Sequence, residues 1–169
     1  KGASRKKSKK ALIDGEAGHE WLKNYVKARI RNVELPVVPE GMLERPIKQF
    51  IEWEKENVAY WILSEALVAS PEEGYAGTLD GVTMMNSGKL ALIDFKFSNH
   101  FSSDYKLQCA GYQNCFEKYG IQMGERIIIR LPKTLEKEEW DSKERKYYKV
   151  ENNIEISVLR DGYEFDRDT

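Results

Sequence analysis

Two apolar segments flanking Asn86-Ser87-Gly88 constrain this chain more than any other feature. Tyr75 to Met85 precedes the tripeptide and Lys89 to Phe97 follows it. Asn and Gly accept the backbone angles of a tight turn, so two extended runs joined by them predict an antiparallel hairpin. Before the hairpin, Val58 to Ser70 is rich in β-branched and aromatic residues and predicts a further strand, at least in its second half. Pro71-Glu72-Glu73-Gly74 predicts the turn between them. After the hairpin, Asp104 is expected to cap a helix that runs to about Tyr119 and stops at Gly120. Ile127-Ile128-Ile129, inside Glu125 to Leu131, predicts a buried strand.

Upstream, the period is helical. Asp14 is the expected N-cap of a first helix, in which His19, Leu22, Val26 and Ile30 recur on one face until Pro36 and Pro39 end the region. A second helix is expected from about Glu44 to Asn57, with Ile47, Phe50 and Ile51 inward. Lys1 to Lys10 is basic and poor in apolar residues, and reads as a frayed, solvated end or as an arm that contacts phosphates. The start at Lys1, without a methionine, reads as part of a longer chain. Pro132 to Arg145 is densely charged and is expected as a loop or exposed helix, with late strands at Tyr147 to Val150 and Ile154 to Leu159. The expected fold is α/β: a mixed central sheet flanked by helices, in the order αβββαβ. It forms a single domain over 1–169, with its core at about 14–131 and 132–169 as a peripheral extension.

Composition narrows the partners. The 169 residues suit one core, and 27 basic against 28 acidic residues leave a net charge of −1. Overall charge therefore does not mark a nucleic-acid binder, although a local basic patch is compatible with it. Cys109 and Cys115 match neither a zinc nor a redox spacing, and two thiolates are too few for an iron–sulfur cluster, so none is expected. The lack of a disulfide framework points to a reducing, intracellular setting. No signal peptide or membrane-spanning stretch is visible, so no membrane partner is expected.

The chemistry concentrates on the hairpin. In Leu92-Ile93-Asp94-Phe95-Lys96-Phe97 the side chains alternate, so Asp94 and Lys96 share one face and Ile93, Phe95 and Phe97 the other. A carboxylate and an ammonium on an otherwise apolar strand form either a structural ion pair or a site. Asp80, in Gly77-Thr78-Leu79-Asp80-Gly81, lies at a comparable distance from the turn and can face Asp94. Two carboxylates held together repel, and a divalent cation relieves that repulsion; oxygen ligands of this kind suit magnesium or manganese. Glu65 is a further acid on the preceding strand, either exposed or a ligand or water-orienting base. His19 heads the inward helical stripe after Gly15 and Gly18, as a core histidine or a ligand; His100 reads as merely exposed. Tyr105, Gln108 and Tyr112 share a helix face, which can bind phosphate, stack a base or form an interface.

Taken together, Gly15…His19, Glu65, Gly77-Thr78-Leu79-Asp80, Ile93-Asp94-Phe95-Lys96 and Tyr105…Gln108…Tyr112 resemble the PD-(D/E)XK nuclease superfamily, most closely its RecB-like exonuclease branch. That branch includes mitochondrial genome-maintenance exonucleases, and Leu92 to Lys96, Gln108-Cys109-Ala110-Gly111-Tyr112-Gln113 and Gly124 to Leu131 are similar to segments of phage-encoded members. The resemblance spans roughly 14–131. It implies a metal-dependent deoxyribonuclease acting on DNA ends or single strands in replication, recombination or repair, with protein partners from those processes. It also allows a phage or prophage origin. Asp80 and Asp94 would hold Mg2+ or Mn2+ with the Phe95 carbonyl, helped by His19, with Glu65 in the outer shell. Lys96 would act on the attacking water, and Gln108, Tyr112, Tyr105 and Ser98 would hold DNA. Two alternatives stand beside it: a structure- or site-specific endonuclease on the same scaffold, and a catalytically silent DNA-binding or subunit-interaction domain.

Overall fold

A computed structural model describes the backbone of residues 2–160 and the side chains of residues 15–159. Helix α1 spans Gly2–Arg31, a short 3-10 turn covers Gly41–Leu43, and α2 spans Glu44–Asn57. Strands β1 (Val58–Ser70), β2 (Tyr75–Met85) and β3 (Leu90–Phe97) follow, then α3 (Ser103–Lys118) and β4 (Glu125–Leu131). The chain continues through β5 (Glu136–Asp141), β6 (Lys146–Glu151) and β7 (Glu155–Arg160).

The main sheet has the order β1-β2-β3-β4-β7, with β5 and β6 forming a separate two-stranded ribbon. Only β3 and β4 run parallel in the main sheet, as the intervening α3 crossover requires. The other neighbours are antiparallel. The fold is therefore mixed α/β, as expected, and the boundaries expected for α2, β1, β2 and β4 agree with the structure.

Burial explains the arrangement. Ile93 and Phe95 of β3 and Ile127 and Ile129 of β4 pack under Leu22 and Val26 of α1 and Ile47 and Phe50 of α2. Leu92 and Ile128 point the other way, into a second cluster with Cys109, Tyr112 and Cys115 of α3. Strands β3 and β4 are covered on both faces, which is why they read as near-continuous apolar runs. Glu54 of α2 is buried in the first cluster, where its carboxylate accepts from Trp61 Nε1 at 3.0 Å, Arg29 Nε at 2.9 Å and Tyr25 Oη at 3.3 Å.

Several expectations change. Asp14 lies inside α1, so it does not cap the helix, and helical backbone continues back through the basic segment to Gly2. The phosphate-arm reading of Lys1 to Lys10 concerns side chains outside the described residues. On α1, Leu22 and Val26 are buried but Ile30 is exposed, because the helix has passed the edge of the core by its last turn. At the start of α3 the cap is Ser102, whose side chain accepts from the Asp104 amide, so Asp104 is a first-turn acid instead. Gly120 ends that helix region at φ +76, as expected.

The strands expected at Tyr147 to Val150 and Ile154 to Leu159 are β6 and β7, but the charged stretch from Pro132 to Arg145 holds strand β5, paired with β6 in a ribbon, where a loop or helix was expected. Its side chains are largely exposed, so no hydrophobic period marks it. Local contacts hold it instead: Trp140 packs on Tyr147 with ring centroids 5 Å apart to the nearest ångström (4.9 Å), and Asp141 Oδ1 accepts from the amides of Lys143 and Glu144. Strand β7 is not peripheral, because it completes the main sheet and brings Ile154 and Ile156 against the core.

Arg130 locks this last region to the sheet. Only 1% exposed, it donates to Glu155 at 2.6 Å, the Ser98 carbonyl at 2.8 Å, the Asn153 carbonyl at 3.0 Å and Asn152 Oδ1 at 3.3 Å. Arg130→Ala should lower unfolding free energy by about 3 kcal/mol, because buried acceptors then lose their donor. Urea denaturation checks this; a loss near zero would show that Arg130 does not anchor β7.

Candidate active site

Strands β2 and β3 pair only as far as Gly81 and Ile93, and then part. Asp80 and Asp94 stand at this fork. The Phe95 amide, freed from the ladder, donates to Asp80 Oδ2 at 2.6 Å. In an extended strand a residue's N–H and C=O point to the same side, so the Phe95 carbonyl opens toward the same fork.

Asp94 is the unusual residue. Its neighbours on β3 are apolar, and it is only 2% exposed. Lys96 is one pleat further along the same face, with Nζ 3.0 Å from Asp94 Oδ2 and 3.2 Å from Oδ1. Oδ2 is buried and receives no hydrogen bond in acceptable geometry, so its contact with the ammonium is ionic only. The expected shared face of Asp94 and Lys96 is present.

Residues from α3 fix Lys96. Its ammonium donates to Gln108 Oε1 at 2.7 Å and lies 5.1 Å from the centre of the Tyr105 ring. Gln108 Nε2 donates to Tyr112 Oη at 2.8 Å, and Tyr112 donates on to the Thr78 carbonyl at 3.3 Å. Gly77 makes room for that phenol, because a Cβ there would lie 2.6 Å from Tyr112 Oη. Of the two residues expected to hold DNA, Gln108 is exposed and Tyr112 is buried. Tyr112 lies beneath α3, and both ends of the Gln108 amide are engaged, the oxygen by Lys96 and the nitrogen by Tyr112.

Helix α1 closes the opposite side of the fork. A Cβ at Gly18 would lie 2.2 Å from Phe97 Cζ, so glycine is what lets the helix sit on that ring. His19 then meets Phe97 edge-on, with ring centroids 5.0 Å apart. A cavity of about 390 Å3 opens here, lined among others by His19, Glu65, Asp80, Phe95, Phe97 and Lys133. His19 is reached by solvent through this cavity and does not belong to the core. The protein around it nevertheless disfavours the imidazolium: desolvation lowers its pKa, the Lys96 charge lowers it further, and Asp94 opposes both.

Glu65 lines the cavity but is held elsewhere. Its backbone is left-handed at φ +50, and its carboxylate pairs with Lys27 at 2.7 Å and Lys23 at 3.3 Å on α1. Those lysines, Lys27 first, hold its pKa below the ordinary range. Ser98 closes the turn after β3: its hydroxyl donates to the His100 carbonyl at 2.7 Å and accepts from the His100 amide at 3.2 Å. His100 itself is exposed, as expected.

Among the described residues, no three His, Cys, Asp or Glu side chains converge closely enough to hold a metal ion. The expected four-residue ligand set of Asp80, Asp94, His19 and Glu65 is thus not assembled. Two aspartates and one carbonyl remain, and they fit a hard divalent cation that keeps several waters, as magnesium does. The orphaned Asp94 Oδ2 is the oxygen such an ion would satisfy.

Sequence reasoning missed Lys133, Lys23 and Lys27. The signal for Lys133 was present: β4 runs parallel to β3, so the residues just after Leu131 emerge beside those just after Phe97. No protein-family model matches the chain, and no curated protein matches it.

The two aspartates are strained by burial. Desolvation pushes Asp80 up to about 6, against the Phe95 amide and Lys96, and Glu65 adds to the rise. It pushes Asp94 up to about 6 as well, with Lys96 opposing and Asp80 reinforcing. A carboxyl raised in the folded state favours its protonated form there. Its contribution to stability is therefore greatest below about pH 4 and is lost as pH rises through about 6. Metal-free Asp94→Asn should exceed the parent in stability at pH 8 by up to ~3 kcal/mol, and the advantage should vanish near pH 4. Thermal or urea unfolding across that window is the measurement. A variant less stable at pH 8 would mean that the ion pair with Lys96 outweighs the burial of the carboxylate.

Proposed function

We propose that this protein is a divalent-metal-dependent deoxyribonuclease of the PD-(D/E)XK kind, hydrolysing phosphodiesters at DNA ends or in single strands. One observation carries the reading: a buried aspartate and a lysine share a face of β3, beside a second aspartate where the strands part. A structural ion pair does not need the second carboxylate, nor the hydrogen-bonded chain that holds the lysine from behind.

Asp80, Asp94 and the Phe95 carbonyl would hold the ion. Bound Mg2+ or Mn2+ would polarise the phosphoryl oxygen and neutralise the charge that develops in hydrolysis. The protein's own part is preorganisation. Lys96 offers a fixed positive charge at the fork, where an attacking water gains negative charge as it loses a proton. Gln108, held by Tyr112, keeps that ammonium from swinging to solvent. Its amide oxygen accepts from the lysine without neutralising it, as a carboxylate there would. The cavity beside α1 gives a strand access to Asp80 without unfolding any element.

A second reading, a catalytically silent DNA-binding or subunit-interaction domain, draws support from the missing third acidic ligand among the described residues. Digestion separates the two. End-labelled linear and circular DNA, single- and double-stranded, should be cut with magnesium or manganese and left intact in chelator. Cutting of linear DNA only would identify an exonuclease, and cutting of circles an endonuclease. Lys96→Ala should lower turnover by roughly 100-fold or more, comparable to removing a preorganised transition-state donor. Its manganese affinity, read by calorimetry, should be largely kept, whereas Asp94→Asn should lose it. Equal loss of metal affinity and turnover in Lys96→Ala would return the pair to a structural role.

A further inference from the structure

Two lysines among the described residues line the cavity beside α1, and the proposed chemistry uses neither. Lys133 lines it together with Asp80, His19 and Phe97. The other lysine lining the cavity, Lys23, is engaged by Glu20 at 3.1 Å and Glu65 at 3.3 Å. No carboxylate pairs with Lys133 among the described residues.

Its backbone is held in place. Asn99 Oδ1 accepts from the Lys133 amide at 3.0 Å and from the Thr134 amide at 3.2 Å. Asn152, fully buried, donates to the same oxygen at 3.4 Å and is itself bonded by Arg130. The stem of Lys133 reaches back along α1, where its Cε lies 3.9 Å from the Cβ position of Gly15. That is ordinary van der Waals contact, so the stem lies along the helix surface at the cavity edge. The clamp fixes where Lys133 leaves the end of β4, and so keeps its ammonium at this cavity.

The charge pattern names the ligand. The acids of the cavity, Asp80, Glu65, Glu16 and Glu20, favour a cation and repel an unaccompanied anion. A DNA strand passing the fork brings phosphates on both sides of the scissile one. A metal ion would meet only the phosphate at Asp80 and Asp94, and the next phosphate needs a protein cation. At about 390 Å3 the cavity falls within the ~300–1,000 Å3 of ordinary ligand pockets, enough for a nucleotide unit. Phe97 supplies it with an apolar wall.

We infer that Lys133 is a substrate-positioning residue that binds the DNA phosphate next to the scissile one, within the cavity between α1 and the sheet. This rests on the nuclease reading for the identity of the strand, but its test does not require cleavage. The probe is a fluorescent single-stranded oligonucleotide, titrated by anisotropy with calcium in place of magnesium over a range of salt. Lys133→Met keeps the apolar stem and removes the charge. It should weaken binding by roughly 3- to 10-fold and lower the salt slope by about 0.7, the value for one lost contact on a single strand. Lys133→Arg should restore both. Unchanged affinity and slope in Lys133→Met would overturn the inference, as would equal losses in the Met and Arg variants. If the oligonucleotide binds through Lys133 while the unmodified protein cuts no DNA with magnesium or manganese, the nuclease reading fails and the phosphate site stands.

Discussion

Asp94 is a carboxylate almost without contact to water, and Lys96 is what makes that burial tolerable. The pair is the constraint to which the surrounding structure answers. An aspartate in an apolar strand covered on both faces would otherwise be driven toward its neutral form. The ammonium 3.0 Å away offsets part of the penalty, but not all, since the carboxyl is still raised to about 6. The remaining imbalance is an electrostatic demand for positive charge at one point of the sheet. Asp80, similarly raised, adds to it from the adjacent strand.

Close packing around that point is made by glycines on opposite faces. Gly77 admits the Tyr112 phenol from the α3 side, and Gly18 admits the Phe97 ring from the α1 side. Each removes a Cβ that would meet a ring atom far inside van der Waals distance. The first contact fixes the chain of hydrogen bonds through Gln108 to Lys96. The second sets how near His19 and the cavity wall come to the fork. Rigid aromatic packing thus places the charged groups.

Much of the fold was legible because its signals are local. The turn at Asn86-Ser87-Gly88, the strands on either side of it and the isoleucine run of β4 each follow from neighbours in sequence. Strand β6 was expected at Tyr147 to Val150, but β5 and its pairing with β6 were not legible, because an exposed strand carries no hydrophobic period and pairing is a tertiary fact. Among the site residues, Asp94 and Lys96 could be placed on one face by alternation alone. Tyr112 could not be told from a surface residue by its helical spacing with Gln108. Its burial depends on Gly77, distant in the chain and adjacent in space.

The sequence by itself determined the mixed α/β order of elements, the charged pair on β3 and the acids that could join it. It did so because strand alternation, helical spacing and turn chemistry act over a few residues. Only the tertiary structure decided which of those acids meet. It parted β2 from β3 beyond Gly81 and turned Glu65 toward the lysines of α1. It also set Gln108 against Lys96 and carried Lys133 from the end of β4 to the cavity that holds Asp80. Those outcomes depend on sheet register, parallel pairing and the depth to which helices seat on glycine, and each joins residues too far apart in sequence for any local pattern to link them.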